Sequence, residues 1–331
     1  MIDRNNSLKY ELTQKRSTKR ISMNMLILFS VLITGFSEQA LAQKTITIQS
    51  EGLFPEGIVY DYSRRGFWIS SARYGKITLV DENGSVRSDI TDTALITSTG
   101  LKIREDKLYV CVGDIGLAVN STDGAKMKAA RVLVFDLKTK KRLKEYRLNE
   151  LSPGAHFAND ETIDKKGNVY VTDSFSPLIY RITPDGHASI FIRDDRFMGE
   201  GVNLNGIAWN KDGYLIAGKQ NDGKLFKVDL ATKIVTEVKL AKALMGADGL
   251  LFGQNGDLYV VTHADSVNQV VRLHSTDHWA SAQITAVNRQ GFDFPTTAAN
   301  RGATIYVLNG RLEHLFSGEN HVASFSIVPI R

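Results

Sequence analysis

Short apolar runs recur along the chain, each preceded by a polar residue set next to a glycine or another small residue, and each followed by a second β-branched run. The openings are Pro55-Glu56-Gly57-Ile58, Ser98-Thr99-Gly100-Leu101, Ala158-Asn159-Asp160-Glu161, Leu204-Asn205-Gly206-Ile207, Ala247-Asp248-Gly249-Leu250 and Pro295-Thr296-Thr297-Ala298. About ten residues after each comes an apolar strand: Phe67-Trp68-Ile69, Leu108-Tyr109-Val110, Val169-Tyr170-Val171, Tyr214-Leu215-Ile216, Leu258-Tyr259-Val260 and Ile305-Tyr306-Val307. Third strands are predicted at Lys76–Asp81, Val132–Asp136, Leu178–Ile182, Lys224–Asp229, Gln269–Leu273 and His321–Phe325. Turn pairs such as Asn83-Gly84, Asp185-Gly186, Asp212-Gly213 and Asn255-Gly256 bound these runs and signal hairpins. No long stretch keeps a helical period. An all-β chain with six such units is expected to form a six-bladed β-propeller with four-stranded blades, because radial closure leaves only short protected sheet edges.

The first 42 residues do not follow this pattern. A basic stretch containing Lys15, Arg16, Lys19 and Arg20 precedes an apolar run from Met25 to Phe36, and Ala40-Leu41-Ala42 has the small-residue spacing of a cleavage site. The run is shorter than the roughly 20 apolar residues of a membrane span, so it is expected to be a cleaved secretory signal peptide, with residues 43–331 forming the propeller. The long basic region leaves Met1, Met23 and Met25 as alternative starts. A secreted or periplasmic protein with no stable membrane anchor follows from this. Cleavage after Ala42 would remove six of the 41 basic and three of the 36 acidic residues, leaving 35 against 33. The alkaline balance therefore belongs mostly to the leader, and nucleic acid is not an expected partner. The single cysteine, Cys111, lies in an apolar strand and is expected to be a small buried hydrophobe.

Candidate chemistry lies in the polar slot that opens each unit: Glu56, Thr99, Asn159, Asn205, Asp248 and Thr296, all with oxygen-bearing side chains. The first strand of each propeller blade lines the central channel, so this column is expected to converge as a ring on the axis. Two carboxylates and two carboxamides, with no cationic residue in the same slot, call for a cation. An all-oxygen set suits a hard divalent ion better than structural zinc. The competing explanation is that short polar residues cap strands and form turns.

At these residues the sequence resembles the family of senescence marker protein 30, gluconolactonase and luciferin-regenerating enzyme. The phrases Pro55-Glu56-Gly57, Asn159-Asp160, Leu204-Asn205-Gly206 and Ala247-Asp248-Gly249, in order and one per blade, carry the resemblance over nearly the whole chain after the leader. It implies one divalent cation at the centre of the propeller, held by Glu56, Asn159, Asn205 and Asp248. Ca²⁺ leads the candidates, followed by Mg²⁺, Zn²⁺ and Mn²⁺. It also implies hydrolysis of a small lactone or ester, expected here to be sugar-derived, with the metal polarising the carbonyl and activating water. The alternative is a non-enzymatic, metal-stabilised propeller that binds a small ligand or a protein at the channel mouth.

Asp248 and Asp160 are the candidate bases. Residues leaving the second strands should ring the mouth, which nominates Arg73, Asp173, Lys219 and His263 as substrate-binding residues, with Arg311 and His156 nearby. The segment from Gly113 to Ala130, longer than its counterparts, is a candidate lid. Neither a His-Glu-x-x-His nor a Gly-x-Ser-x-Gly motif is present. A monomer acting on a small molecule is the expected state.

Overall fold

The computed structural model describes residues 44–330. The leader, its cleavage site and the alternative starts lie outside the described residues. Within them the chain forms six antiparallel blades around a central channel, a six-bladed β-propeller. Blade 1 is built from Ile58–Asp61, Gly66–Ile69, Lys76–Asp81 and Val86–Thr91, and blade 2 from Thr97–Arg104, Lys107–Gly113, Ala130–Asp136 and Arg142–Arg147. Blade 3 comprises Ala158–Ile163, Val169–Asp173, Leu178–Ile182 and Ala188–Arg193, and blade 4 comprises Leu204–Asn210, Tyr214–Lys219, Lys224–Asp229 and Val235–Glu237. Blade 5 runs through Ala247–Phe252, Leu258–Ala264, Val267–His274 and Ser281–Asn288, with the short strand Lys239–Leu240 added in parallel at its outer edge.

Blade 6 closes the ring with both ends of the described chain. Its inner three strands are Pro295–Arg301, Thr304–Asn309 and Ser324–Ile330, and its outermost strand is Ile46–Gln49, paired antiparallel with Ile46 opposite Ile327. Borrowing the outer strand from the other end of the chain ties first blade to last, and the propeller cannot open without breaking that ladder. The third strand here differs from expectation: His321 and Val322 precede it, and it extends to Ile330. A one-turn helix, Leu312–Phe316, occupies the connection and displaces the strand along the sequence. Glycines of the predicted turns, among them Gly84 and Gly213, have φ of 91° and 90°, where a side chain would be strained.

The core is distributed between adjacent blades. Trp68 and Leu79 of blade 1 pack with Leu101, Leu108 and Leu133 of blade 2 in one buried cluster, and Val132, Val171 and Tyr180 join blades 2 and 3 in another. Cys111 is fully buried, and Trp279 is buried against Phe252 with ring centroids 5.5 Å apart. The candidate lid is fastened. The carboxylate of Asp114, itself fully buried, accepts from Gly116 N–H at 2.7 Å and from Ser121 Oγ at 2.7 Å, and Val119 N–H donates to the Arg73 carbonyl. This segment forms part of the wall of the mouth.

Candidate functional site

Five of the six slot residues owe their position to a shared backbone irregularity. In blades 2 to 5 the pairing of first and second strands shifts between Ser98 and Leu101, Ala158 and Glu161, Leu204 and Ile207, and Ala247 and Leu250, with a similar shift between Pro295 and Thr297 in blade 6. Thr99, Asn159, Asn205, Asp248 and Thr296 all fall inside these bulges, which release a residue from the ladder and re-aim its side chain. The glycine that follows is a packing requirement. A Cβ on Gly57 would overlap the Thr99 carbonyl oxygen of the next blade, and one on Gly206 would overlap the Asp248 carbonyl oxygen. The first strands thus approach one another too closely at the axis for a side chain at that register. Blade 3 carries Asp160 there instead, beside Gly100, in space that the glycine leaves open.

All six slot residues are buried, and they divide into two kinds. The Thr99 and Thr296 hydroxyls are used structurally: Thr99 Oγ1 donates to the Ala158 carbonyl at 3.1 Å and Thr296 Oγ1 to the Glu56 carbonyl at 2.8 Å, each stitching one blade to the next. Glu56, Asn159, Asn205 and Asp248 keep oxygen atoms available. Asn159 Nδ2 donates to Ser174 Oγ at 2.9 Å, while its Oδ1 is buried without a hydrogen-bond partner. Asn205 Nδ2 donates to Gln220 Oε1 at 3.2 Å, and Asp248 Oδ2 lies 2.8 Å from His263 Nε2.

Burial pushes the Glu56 carboxyl well above its ordinary range, and the negative charges of Asp248 and Asp160 push it further, with Lys102 offsetting part of this. Burial also raises the Asp248 carboxyl, opposed by the hydrogen bond and charge of His263. An orphaned amide oxygen beside two buried carboxylates, both raised and one of them by the charge of the other, is the donor chemistry that fits a hard cation. Among the described residues no group of three or more His, Cys, Asp or Glu side chains is placed to share an ion. Any ion here would draw on the carboxamides as well as the carboxylates.

A cavity of about 130 Å³ opens over this floor. Its base includes Glu56, Thr99, Asn159, Asn205 and Asp248, and its sides carry Gln220, His263, Phe157, Phe175 and Phe294. His263 lies against the Phe294 ring, with centroids 4.0 Å apart. On the far side of the ring the channel narrows to a space for roughly one water molecule, lined by Lys102, Asp160 and Gly249 among others.

Of the predicted mouth residues, only His263 reaches the cavity. Asp173 is fully buried, accepting from Tyr180 Oη at 2.8 Å and facing His156 Nδ1 at 2.7 Å. Lys219 Nζ is committed to the Met198 carbonyl at 2.8 Å and to Asp222 at 3.0 Å. Arg73 is held by Tyr74 Oη at 2.8 Å, and Arg311 pairs with Asp293 at 2.9 Å. Strand alternation explains two of these placements: the residues that turn toward the ring are the next ones along, Ser174 and Gln220, since successive side chains point to opposite faces.

Asp160 also departs from expectation. Its carboxylate accepts from the backbone N–H of Glu161 at 2.8 Å and of Ile207 at 3.3 Å, faces Lys102 Nζ at 3.5 Å, and lines the constriction rather than the cavity. It braces the axis from the side opposite the cavity. Sequence reasoning also missed Glu161, a fully buried carboxyl with neither oxygen in an ordinary hydrogen bond, which burial pushes up to about 8.

No family model matches the chain. Trichothecene biosynthesis protein 14 of Trichoderma arundinaceum is 25% identical over 159 residues, which is 42% of this chain and 43% of that protein, so the match spans less than half the length of that relative. Among solved structures, the Malassezia sympodialis allergen Mala s 1 superposes with a TM-score of 0.70 at 18% identity, covering 88% of this chain and 97% of the allergen. Virginiamycin B lyase from Staphylococcus aureus superposes at 0.57 and 18% identity, over 80% of this chain and 81% of the lyase. Luciferin-regenerating enzyme superposes at 0.60 and 12% identity, over 87% of this chain and 96% of the enzyme. These likenesses show a shared propeller fold, and they include a namesake of the family that the blade-opening phrases resemble.

Proposed function

We propose that the protein is a divalent-metal-dependent hydrolase of a small lactone or ester, working at the floor of the mouth cavity. The observation that carries this is the convergence there of two buried carboxylates, Glu56 and Asp248, the unpartnered Asn159 Oδ1, and a histidine 2.8 Å from one of those carboxylates. Glu56, Asn159, Asn205 and Asp248 would hold the ion, Ca²⁺ by its fit to an all-oxygen set, and a bound ion would supply carbonyl polarisation and a lowered pKa of water.

The chain's own residues provide the proton relay. Asp248 Oδ2 and His263 Nε2 lie in hydrogen-bond contact at 2.8 Å, and Asp248 would accept the proton of an attacking water. The Phe294 ring, its centroid 4.0 Å from that of the imidazole, fixes the orientation of His263. Ser174 holds the Asn159 carboxamide so that its nitrogen is engaged and its oxygen is free. A monomeric protein in a secreted or periplasmic setting, acting on a small molecule, accords with this arrangement.

The test is a lactone and ester panel on metal-reconstituted protein, with metal content measured in the same samples. Metal-dependent turnover supports the proposal, and turnover unchanged by chelation overturns its metal component. A second reading, a metal-stabilised propeller that binds a ligand without reaction, is favoured by the apolar walls of the cavity. Ligand-induced stabilisation with no turnover across the panel would select it.

A further inference from the structure

We infer that the ligand of this cavity has an uncharged, apolar body about the size of a six-membered ring with a short alkyl or aryl extension, joined to a single polar carbonyl group. This deepens the hydrolase proposal and rests on it only for the statement that the carbonyl belongs to a lactone or ester. The walls are formed by Ile115, Leu117, Phe157, Phe175, Phe294 and Phe316. Phe157 packs against Phe175 at 5.7 Å and Phe294 against Phe316 at 6.2 Å, so two aromatic pairs flank the opening. At the entrance Phe316 is 53% exposed and Val202 37% exposed, apolar surface in a position where a ligand would cover it.

Charge excludes anions. No Lys or Arg is among the cavity's described lining residues, the nearby cations Arg73, Lys219 and Arg311 are committed elsewhere, and the floor's two carboxylates balance the charge of the divalent ion they would hold. Hydrogen-bonding capacity excludes polyols. Polar side chains are confined to the floor and its rim, where Ser174 and Gln220 are already bonded within the protein. Of the lining's buried polar atoms without a hydrogen-bond partner, Asn159 Oδ1 is assigned to the ion, which leaves Thr97 Oγ1. Its hydroxyl can donate to one carbonyl oxygen, while the hydroxyls of a sugar ring would lose water without finding partners. The volume, about 130 Å³, is close to that of an engineered apolar cavity of about 150 Å³ that binds benzene. On this inference the substrate is an apolar lactone or ester and not the sugar-derived one expected from the resemblance.

The test uses non-hydrolysable δ-lactams with alkyl substituents of increasing length, together with glucono-δ-lactam, titrated calorimetrically into the metal-reconstituted protein. Affinity should rise about fourfold per added methylene until the chain passes the entrance, and glucono-δ-lactam should bind more weakly than unsubstituted valerolactam. Phe316→Asp, at a half-exposed position that tolerates substitution, should weaken the longest lactam about tenfold. Affinity independent of chain length, tightest binding of the glucono compound, or no lactam binding at all overturns the inference. If the lactam series behaves as described while the matching lactones are not turned over, the hydrolase proposal fails and the inference about ligand class stands.

Discussion

Asp248→Asn separates the two duties assigned to one carboxylate. The substitution keeps the shape and an oxygen that can face His263 Nε2 across the present 2.8 Å contact, but it removes a negative charge and the ability to take up a proton. For catalysis the expected loss is that of a general base, about 100-fold to 10,000-fold in kcat at saturating metal. For metal binding, with free metal at 100 times the wild-type dissociation constant, linkage stabilises the wild-type protein by about 2.7 kcal/mol. A variant binding about 100-fold more weakly would gain only about 0.4 kcal/mol under the same conditions. At about 2–4 °C per kcal/mol for a domain of this size, the metal-induced rise in Tm should fall from about 5–11 °C to about 1 °C.

In chelator the order reverses. Wild-type protein then buries Asp248 beside Glu56, whose proton affinity the Asp248 charge raises, so the metal-free variant should melt no lower than metal-free wild type. The assay is scanning calorimetry with and without chelator, alongside initial rates at matched metal occupancy measured by elemental analysis. Wild-type turnover in the fully occupied variant would refute the base assignment. A large drop in the Tm of the metal-free variant would refute the claim that the two carboxylates oppose each other.

The other predictions concern the frame around the site. Chelation of the wild-type protein should lower its Tm, and elemental analysis finding no bound ion together with an unchanged Tm in chelator would sink the ring as a metal site. Thr296→Val removes a hydroxyl spent on the Glu56 carbonyl, so it should lower stability by about 0.5–1.5 kcal/mol by calorimetry while metal content is retained. Gly206→Ala places a Cβ against the Asp248 backbone and should cost about 1–3 kcal/mol in denaturant unfolding, with metal affinity falling as Asn205 is displaced. His156 is desolvated, which lowers its proton affinity, but the hydrogen bond and charge of Asp173 and the Ser152 carbonyl outweigh this and the net shift is upward. A raised folded value means that its stabilisation is fully present below the unfolded pKa of about 6.5 and is lost as pH rises through the folded value. Wild-type Tm should therefore decline across that window, and His156→Gln should flatten the pH dependence.

The sequence by itself determined the propeller, its blade count and the ring. Those features repeat: a period-2 strand pattern and a polar slot recur six times, with glycines at most of the turns, and one repeated unit that cannot bury both faces alone must stack on its neighbours. Glu56, Asn205 and Asp248 were legible because each is followed by a glycine where blades crowd the axis, and Asn159 because it holds the same slot in blade 3 with Asp160 in the glycine's place. The tertiary structure alone decided the rest of the site. Which residue at the end of a second strand faces the channel depends on a one-residue register, so Ser174 and Gln220, not Asp173 and Lys219, turn inward. The apolar walls come from connections far apart in sequence, at Ile115, Phe157, Val202, Phe294 and Phe316, and no local pattern marks them as neighbours. The meeting of His263 with Asp248 depends on two strands of blade 5 pairing in one register, with Ala247 opposite Thr262. Local periodicity fixes which segments are strands, whereas the chemistry of the mouth depends on packing between segments whose contacts the chain order does not encode.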